Sequence, residues 1–193
     1  MTSESLGAIF LNAALINNFV LSLFLGICPF LGVSARLATA VRMGAAVIFV
    51  MLVSSTAAFW IERLLVALDA TYLRLIAFIA VIASTVQLVE MFIKKVSAVL
   101  FRALGIYLPL ITTNCAILGL ALFQTNKGYS FVQSIVYALG AGTGFTLALV
   151  LMATIREKLE LAELPDVARG TALALTLAGL LSMAFMGFGG LAG

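Results

Sequence analysis

The chain has 193 residues, 64% of them hydrophobic and only 10% charged, with a net charge of +3 and no histidine. Its charge-free runs exclude a soluble enzyme domain, because a hydrocarbon core roughly 30 Å thick is crossed by about 20 apolar residues in a helix. With the length given over to crossings and short links, a dinucleotide fold or a nucleic-acid module has no room, and the missing imidazoles remove the usual acid-base and metal-binding side chain.

Uncharged stretches at 5–35, 43–61, 75–89, 103–126, 128–155 and 170–193 predict six membrane-spanning helices, making the whole chain, 1–193, one all-α integral membrane domain. The first stretch lacks the positively charged start of a secretory signal and exceeds the length of its apolar core, so it is expected to be retained. It carries Asn12, Asn17 and Asn18, which more often bond across packed helices than form a site. Pro29 follows Cys28 there; proline has no N–H to donate and crowds the carbonyl four residues back, that of Leu25, so this span is expected to kink or break.

The third stretch is charge-free only from 75 to 89, so a full crossing takes in Arg74 or Glu90. An intramembrane carboxylate is costly and often functional, which makes Glu90, with Gln87 nearby, a candidate on a proton or sodium path. The alternative holds Glu90 at headgroup level, paired with Lys94 one turn on. In the fourth span Pro109 is expected to interrupt the helix against the carbonyl of Gly105. Thr112, Thr113 and Asn114 then precede Cys115, and their side-chain oxygens suit the capping of a half-helix that begins at the cysteine.

In the fifth span, Gly140-Ala141-Gly142-Thr143-Gly144 has neither a strand before it nor a lysine after it, so close helix packing is expected rather than phosphate binding. The segment from Arg156 to Asp166 mixes both charge signs and ends at Pro165, as a solvated helical extension would. Gly179, Gly187, Gly189 and Gly190 in the last span are expected to allow tight helix contact.

The basic residues fall unevenly. Arg36, Arg42, Lys94, Lys95, Arg102, Arg156, Lys158 and Arg169 follow odd-numbered spans, whereas only Arg63, Arg74 and Lys127 follow even-numbered ones. Because positive loops stay in the cytoplasm, this split predicts both termini on the outer side, and the basic pI of about 9.1 is mostly a topology signal.

The two cysteines lie 87 residues apart in nearly matching pentapeptides, Cys28-Pro29-Phe30-Leu31-Gly32 and Cys115-Ala116-Ile117-Leu118-Gly119. That offset leaves three spans in each half, about 1–96 and about 97–193. An odd number of crossings inverts the second half, so the pattern predicts two inverted three-helix repeats with broken helices at spans one and four, an architecture of many transporters. A helix N-terminus favours the metal-binding thiolate, and Cys28, just before Pro29, is expected at an N-cap position as Cys115 is. Two other readings stay open: small buried hydrophobes, or a disulfide, which needs the thiols to face each other and an oxidant at membrane depth. Two thiolates are half the usual ligand set of a two-iron cluster, so a cluster would need a partner's cysteines.

Leu25-Gly26-Ile27-Cys28-Pro29-Phe30-Leu31-Gly32-Val33-Ser34 and the segment from Leu104 to Ala116 resemble the signature segments of the RnfA/NqrE family of membrane subunits. The resemblance extends over essentially the whole chain, through Asn17-Asn18-Phe19, the run from Val86 to Met91, Ile155-Arg156-Glu157 and the run from Phe185 to Gly190; Pro29 favours the Rnf branch. It implies a six-span subunit, in a bacterial inner membrane, of an ion-translocating oxidoreductase complex that links ferredoxin and NAD. It further implies that Cys28 and Cys115 join two cysteines of a homologous, oppositely oriented RnfE-like subunit to hold a [2Fe-2S] cluster, with amides around Leu31 and Ile117 as candidate donors to the sulfurs. The other implied partners are further Rnf subunits and the bilayer. An inverted-repeat ion transporter subunit without a redox centre and a structural scaffold are the competing functions. No serine or cysteine has a suitable base, so the chain is not expected to be catalytic alone.

Overall fold

The computed structural model describes residues 5–96, 108–160 and 170–189. Among them there is no strand. Helix α1 (Leu6–Leu11) continues into a π-helical turn (Asn12–Ile16), and an unwound stretch leads to the short α2 (Ile27–Val33). Then come α3 (Leu37–Ala67), a 3₁₀ turn (Thr71–Leu73), α4 (Arg74–Val96), α5 (Leu108–Thr112), α6 (Cys115–Asn126), α7 (Phe131–Glu160) and α8 (Thr171–Gly189). Leu37–Ala67, Thr71–Met91 and Phe131–Leu159 are long and apolar enough to cross a membrane, and Leu6–Ile16 and Thr171–Gly187 are shorter apolar helices. Arg102, Gly105, Pro165, Arg169 and Gly190 lie outside the described residues, as does most of the mixed-charge loop.

Helices α3 and α7 pack along most of their length and form the centre of the molecule. Their buried faces are rich in small residues, with Ala40, Gly44, Ser54, Ser55 and Ala58 on α3 and Ala138, Ala141, Ala148 and Ala153 on α7. Small side chains let helix backbones approach where lipid supplies no hydrophobic driving force. Ser55 and Gln124 tie α3 to α6: the serine hydroxyl donates to Gln124 Oε1 at 2.6 Å and Gln124 Nε2 donates to the Ser55 carbonyl at 3.0 Å. Helix α4 is peripheral and turns Ile76, Ile79, Leu88 and Met91 outward, an apolar face suited to lipid or a neighbouring protein.

Two of the apolar segments are interrupted. Pro29 lies third in α2, in the first turn of that short helix, where an N–H would have no intrahelical partner anyway; Pro109 lies in α5, and the Gly105 carbonyl it was expected to crowd is outside the described residues. The interruption of the first segment therefore falls before Pro29, over residues 17–26, and among the described residues the other segment is interrupted after Pro109, at Thr113–Asn114.

Asn18 makes the first interruption tolerable. Fully buried, it donates through Nδ2 to the carbonyls of Ala14 and Gly144 at 3.1 and 2.8 Å, and its Oδ1 accepts from the N–H groups of Val20 and Leu21. Ser182 of α8 donates to the Leu21 carbonyl at 2.6 Å. Unpaired backbone groups are costly in an apolar interior, so the side chains of Asn18 and Ser182 take the place of missing helical bonds.

The glycine run of α7 serves the close packing its sequence implied. A Cβ at Gly144 would stand 2.6 Å from the Ala14 carbonyl oxygen, and one at Gly140 would stand 2.8 Å from that of Phe10. Gly179 and Gly187, by contrast, meet nothing within 4 Å. Helix α8 packs through Ala174, Ala178 and Ser182, a stripe of four-residue spacing that leaves those glycines to one side.

Since backbone cannot yield as a side-chain tip can, Gly144→Val is expected to cost roughly 1–3 kcal/mol of overpacking. A thermal melt of the purified protein should show a clear drop for Gly144→Val and no change for Gly179→Ala.

Candidate metal-ligand site

Cys115 is the first residue of α6, as its flanking residues implied. Asn114, extended at φ −73° and ψ 112°, caps the helix, its Oδ1 accepting from the Ala116 N–H at 3.0 Å. A thiol at this position lies at the positive end of a twelve-residue helix.

Cys28 is not an N-cap residue. Helix α2 is capped by Gly26 and Cys28 is its second residue. Gly26 has φ +78°, a left-handed conformation that glycine adopts without steric cost. A Cβ there would fall 2.6 Å from Phe145 Cε2 and 3.0 Å from Asn114 Oδ1. The start of α2 is thus pressed against the cap of α6 and the flank of α7.

Across that contact the Gly26 N–H donates to Cys115 Sγ at 2.9 Å. The two cysteine-bearing segments, far apart in sequence, begin their helices side by side. Leu25 also packs onto α6, its Cδ1 lying 2.8 Å from where a Gly119 Cβ would be. The donor to sulfur is the Gly26 amide rather than the amides expected around Leu31 and Ile117: the Ile117 N–H bonds to the Asn114 carbonyl at 3.1 Å, and at Leu31 the group engaged from outside the helix is the carbonyl.

Both cysteines are free, and both are exposed at the surface of the chain. Neither the buried-hydrophobe reading nor the disulfide reading describes them. Among the described residues no three His, Cys, Asp or Glu side chains converge. Next to Cys115, the Nδ2 of Asn114 is buried without a hydrogen-bond partner, a donor left unspent. The thiols, the Gly26 amide and this orphaned amide form a donor set suited to soft, anionic sulfur chemistry.

The far end of α2 is held by Arg156 of α7, whose Nη1 donates to the Leu31 carbonyl at 3.1 Å and to Ser34 Oγ at 2.9 Å. A cation there also complements the negative end of the helix. In sequence Arg156 counted as a topology charge, as the start of a solvated segment and as part of the family resemblance, and Gly26 only as part of that resemblance; neither was expected to hold α2.

Glu90 lies elsewhere, half-buried on α4, with Gln87 exposed. No hydrogen bond or ion pair among the described residues joins it to the groups around the cysteines.

Removing the anchor of α2 gives a test of this frame. Arg156→Gln should loosen α2 and raise the alkylation rate of Cys28 by maleimide several-fold, leaving that of Cys115 within about twofold, because hydrogen bonds from a charged donor contribute roughly 1.5–3 kcal/mol.

Comparison with known proteins places this geometry. Residues 6–192 match the family described as Rnf-Nqr subunit, membrane protein. A Syntrophotalea carbinolica protein, named as belonging to an ion-translocating oxidoreductase complex, is 56% identical over 189 residues, covering 97% of this chain and 98% of that protein. Proteins of the same name from Serratia proteamaculans and Escherichia coli are each 54% identical over 184 residues, covering 95% of both chains. With relatives matched over nearly their whole length and a family match of the same extent, the chain belongs to the Rnf-Nqr family of membrane subunits.

Proposed function

We propose that this chain is the membrane-embedded electron-relay subunit of an ion-translocating ferredoxin:NAD oxidoreductase complex, with Cys28 and Cys115 as two of the four ligands of a [2Fe-2S] cluster. The other two ligands come from a homologous, oppositely oriented subunit. The observation that carries this reading is the hydrogen bond from Gly26 N–H to Cys115 Sγ, which joins the starts of the two helices that bear the cysteines. The exposure of both thiols supports it further, since a ligand shared with a partner must be reachable from outside the chain.

In this reading the residues of the chain have separate tasks. Cys28 and Cys115 hold the iron. The Gly26 amide and the positive end of α6 stabilise negative charge on the Cys115 sulfur, the kind of hydrogen bonding that tunes a sulfur-ligated centre. Asn114 caps the start of α6, Asn18 holds the unwound stretch before α2 and Arg156 grips the end of α2, so that the sulfurs need not reorganise. When bound, the cluster supplies one-electron storage between the two faces of the membrane, dividing a gap of roughly 30 Å.

The same reading takes the interrupted segments, 5–35 and 103–126, as spans one and four of six, related as inverted repeats, in a bacterial inner membrane. Arg36 and Arg156 then face the cytoplasm, and Arg63, Arg74 and Lys127 the outer side with both termini. Glu90, on the least buried of the long helices, is the proposed carboxylate on the ion path.

Replacing Cys28 or Cys115 by serine in the intact complex should each abolish one two-iron signal in electron paramagnetic resonance; a full signal in either variant removes the assignment and leaves an ion-transport subunit without a redox centre. Glu90→Gln should lower ions moved per electron several-fold while electron flow continues, and unchanged coupling in proteoliposomes takes Glu90 off the path.

A further inference from the structure

At the end of the molecule remote from Arg36 and Arg156, a cavity of about 200 Å³ opens between the last turns of α3, the end of α6 and the first turn of α7. Phe59, Glu62, Arg63, Gln124, Tyr129 and Ser134 are among its lining residues. Its rim carries uncompensated positive charge. Glu62, the carboxylate in the wall, is occupied by Arg74, whose Nε donates to Oε2 at 3.0 Å while Nη2 holds Oε1. Arg63 lies over the Phe59 ring at 5.0 Å, and the adjoining Lys127 lies over the Tyr129 and Tyr137 rings at 5.5 and 5.6 Å.

Among the described residues neither Arg63 nor Lys127 has a carboxylate partner. The rings steady the two cations and leave most of their N–H donors unspent, five on a guanidinium and three on an ammonium. Inside the cavity, Ser134 is 2% exposed and its hydroxyl has no hydrogen-bond partner. A buried polar group left unpaired costs roughly 1–3 kcal/mol, so this hydroxyl calls for a polar ligand.

Donors without acceptors select a compact oxyanion, and the surroundings select one with an apolar tail. Trp60, Leu64, Val66, Phe131 and Val132 are all exposed around this end, an apolar and aromatic belt of the kind found at the membrane–water boundary. We propose that this cavity seats the phosphate group of an anionic membrane phospholipid, with Arg63, Lys127 and Ser134 as its donors and the belt against its acyl chains. Its occupant would brace the junction of α3, α6 and α7. The site depends on the chain spanning the membrane and on nothing concerning the cysteines.

The purified complex, stripped of lipid by detergent exchange, is titrated separately with phosphatidylglycerol, phosphatidylcholine and inorganic phosphate, and read by native mass spectrometry and thermal melting. Phosphatidylglycerol should stay bound and raise the melting temperature, with no comparable effect of phosphatidylcholine or inorganic phosphate. Arg63→Gln with Lys127→Gln should weaken retention roughly tenfold or more, on the usual scale of about 1 kcal/mol for each basic residue at an anionic membrane surface. Arg42→Gln with Lys95→Gln, an equal charge change at exposed positions elsewhere, should not weaken it. Ser134→Ala, which removes no charge, should lower retention several-fold. Equal retention by both double variants, or equal effects of the two lipids, overturns the proposal. Stabilisation by inorganic phosphate alone makes the ligand a free ion and overturns the lipid assignment.

Discussion

One hydrogen bond sets conditions for much of the rest: the Gly26 N–H can reach Cys115 Sγ only if the chain before α2 leaves the helix. A continuous first span would commit that amide to the carbonyl four residues back. Unwinding frees it, but it also leaves backbone groups of residues 17–26 without helical partners. The bonds of Asn18, the hydroxyl of Ser182 and the close approach of Gly144 follow from that requirement. Phe19 completes the support by packing its ring against Phe123 and Tyr137 at centroid distances of 5.8 and 6.0 Å.

Helix α7 is the spine against which this is built. Phe145 backs the Gly26 turn, Gly144 accepts from Asn18, and Arg156 grips the end of α2. Three supports from one long, well-buried helix hold the cysteine segments to a common frame. An exposed sulfur on a rigid frame is what a shared ligand set requires, because any slack on this side would have to be removed when a partner docks.

Much of this was legible in the residues. Charge-free length located the long helices, and Asn114 before Cys115 marked the start of α6 because a cap needs a short polar side chain at one defined place. The position of the interruptions was harder to read. Pro29 and Pro109 point to a break but do not say on which side of the proline it falls: it lies before Pro29 and, among the described residues, after Pro109. Gly26 is one of several glycines in that stretch, and only the tertiary neighbours Phe145 and Asn114 show why this one has to be glycine. Arg156 could be counted as a loop charge but not placed, since its partners Leu31 and Ser34 lie more than a hundred residues away. Gly179 and Gly187 of α8 meet nothing within 4 Å in the chain, and composition alone cannot say which face of a helix is packed.

The distribution of polar groups between core and surface bears on where function resides. Buried Asn18, Ser55 and Gln124 all have their hydrogen bonds satisfied within the chain, so they serve the fold. The exposed thiols of Cys28 and Cys115 and the basic rim of Arg63 and Lys127 lie outward, whereas the unpaired Asn114 Nδ2 and Ser134 hydroxyl are buried beside them. A transporter that worked alone would keep such groups facing an internal passage. Under the proposed function the outward-facing groups would each make one wall of a site that a neighbouring protein or lipid completes, and the isolated chain is then expected to fold without displaying its activity.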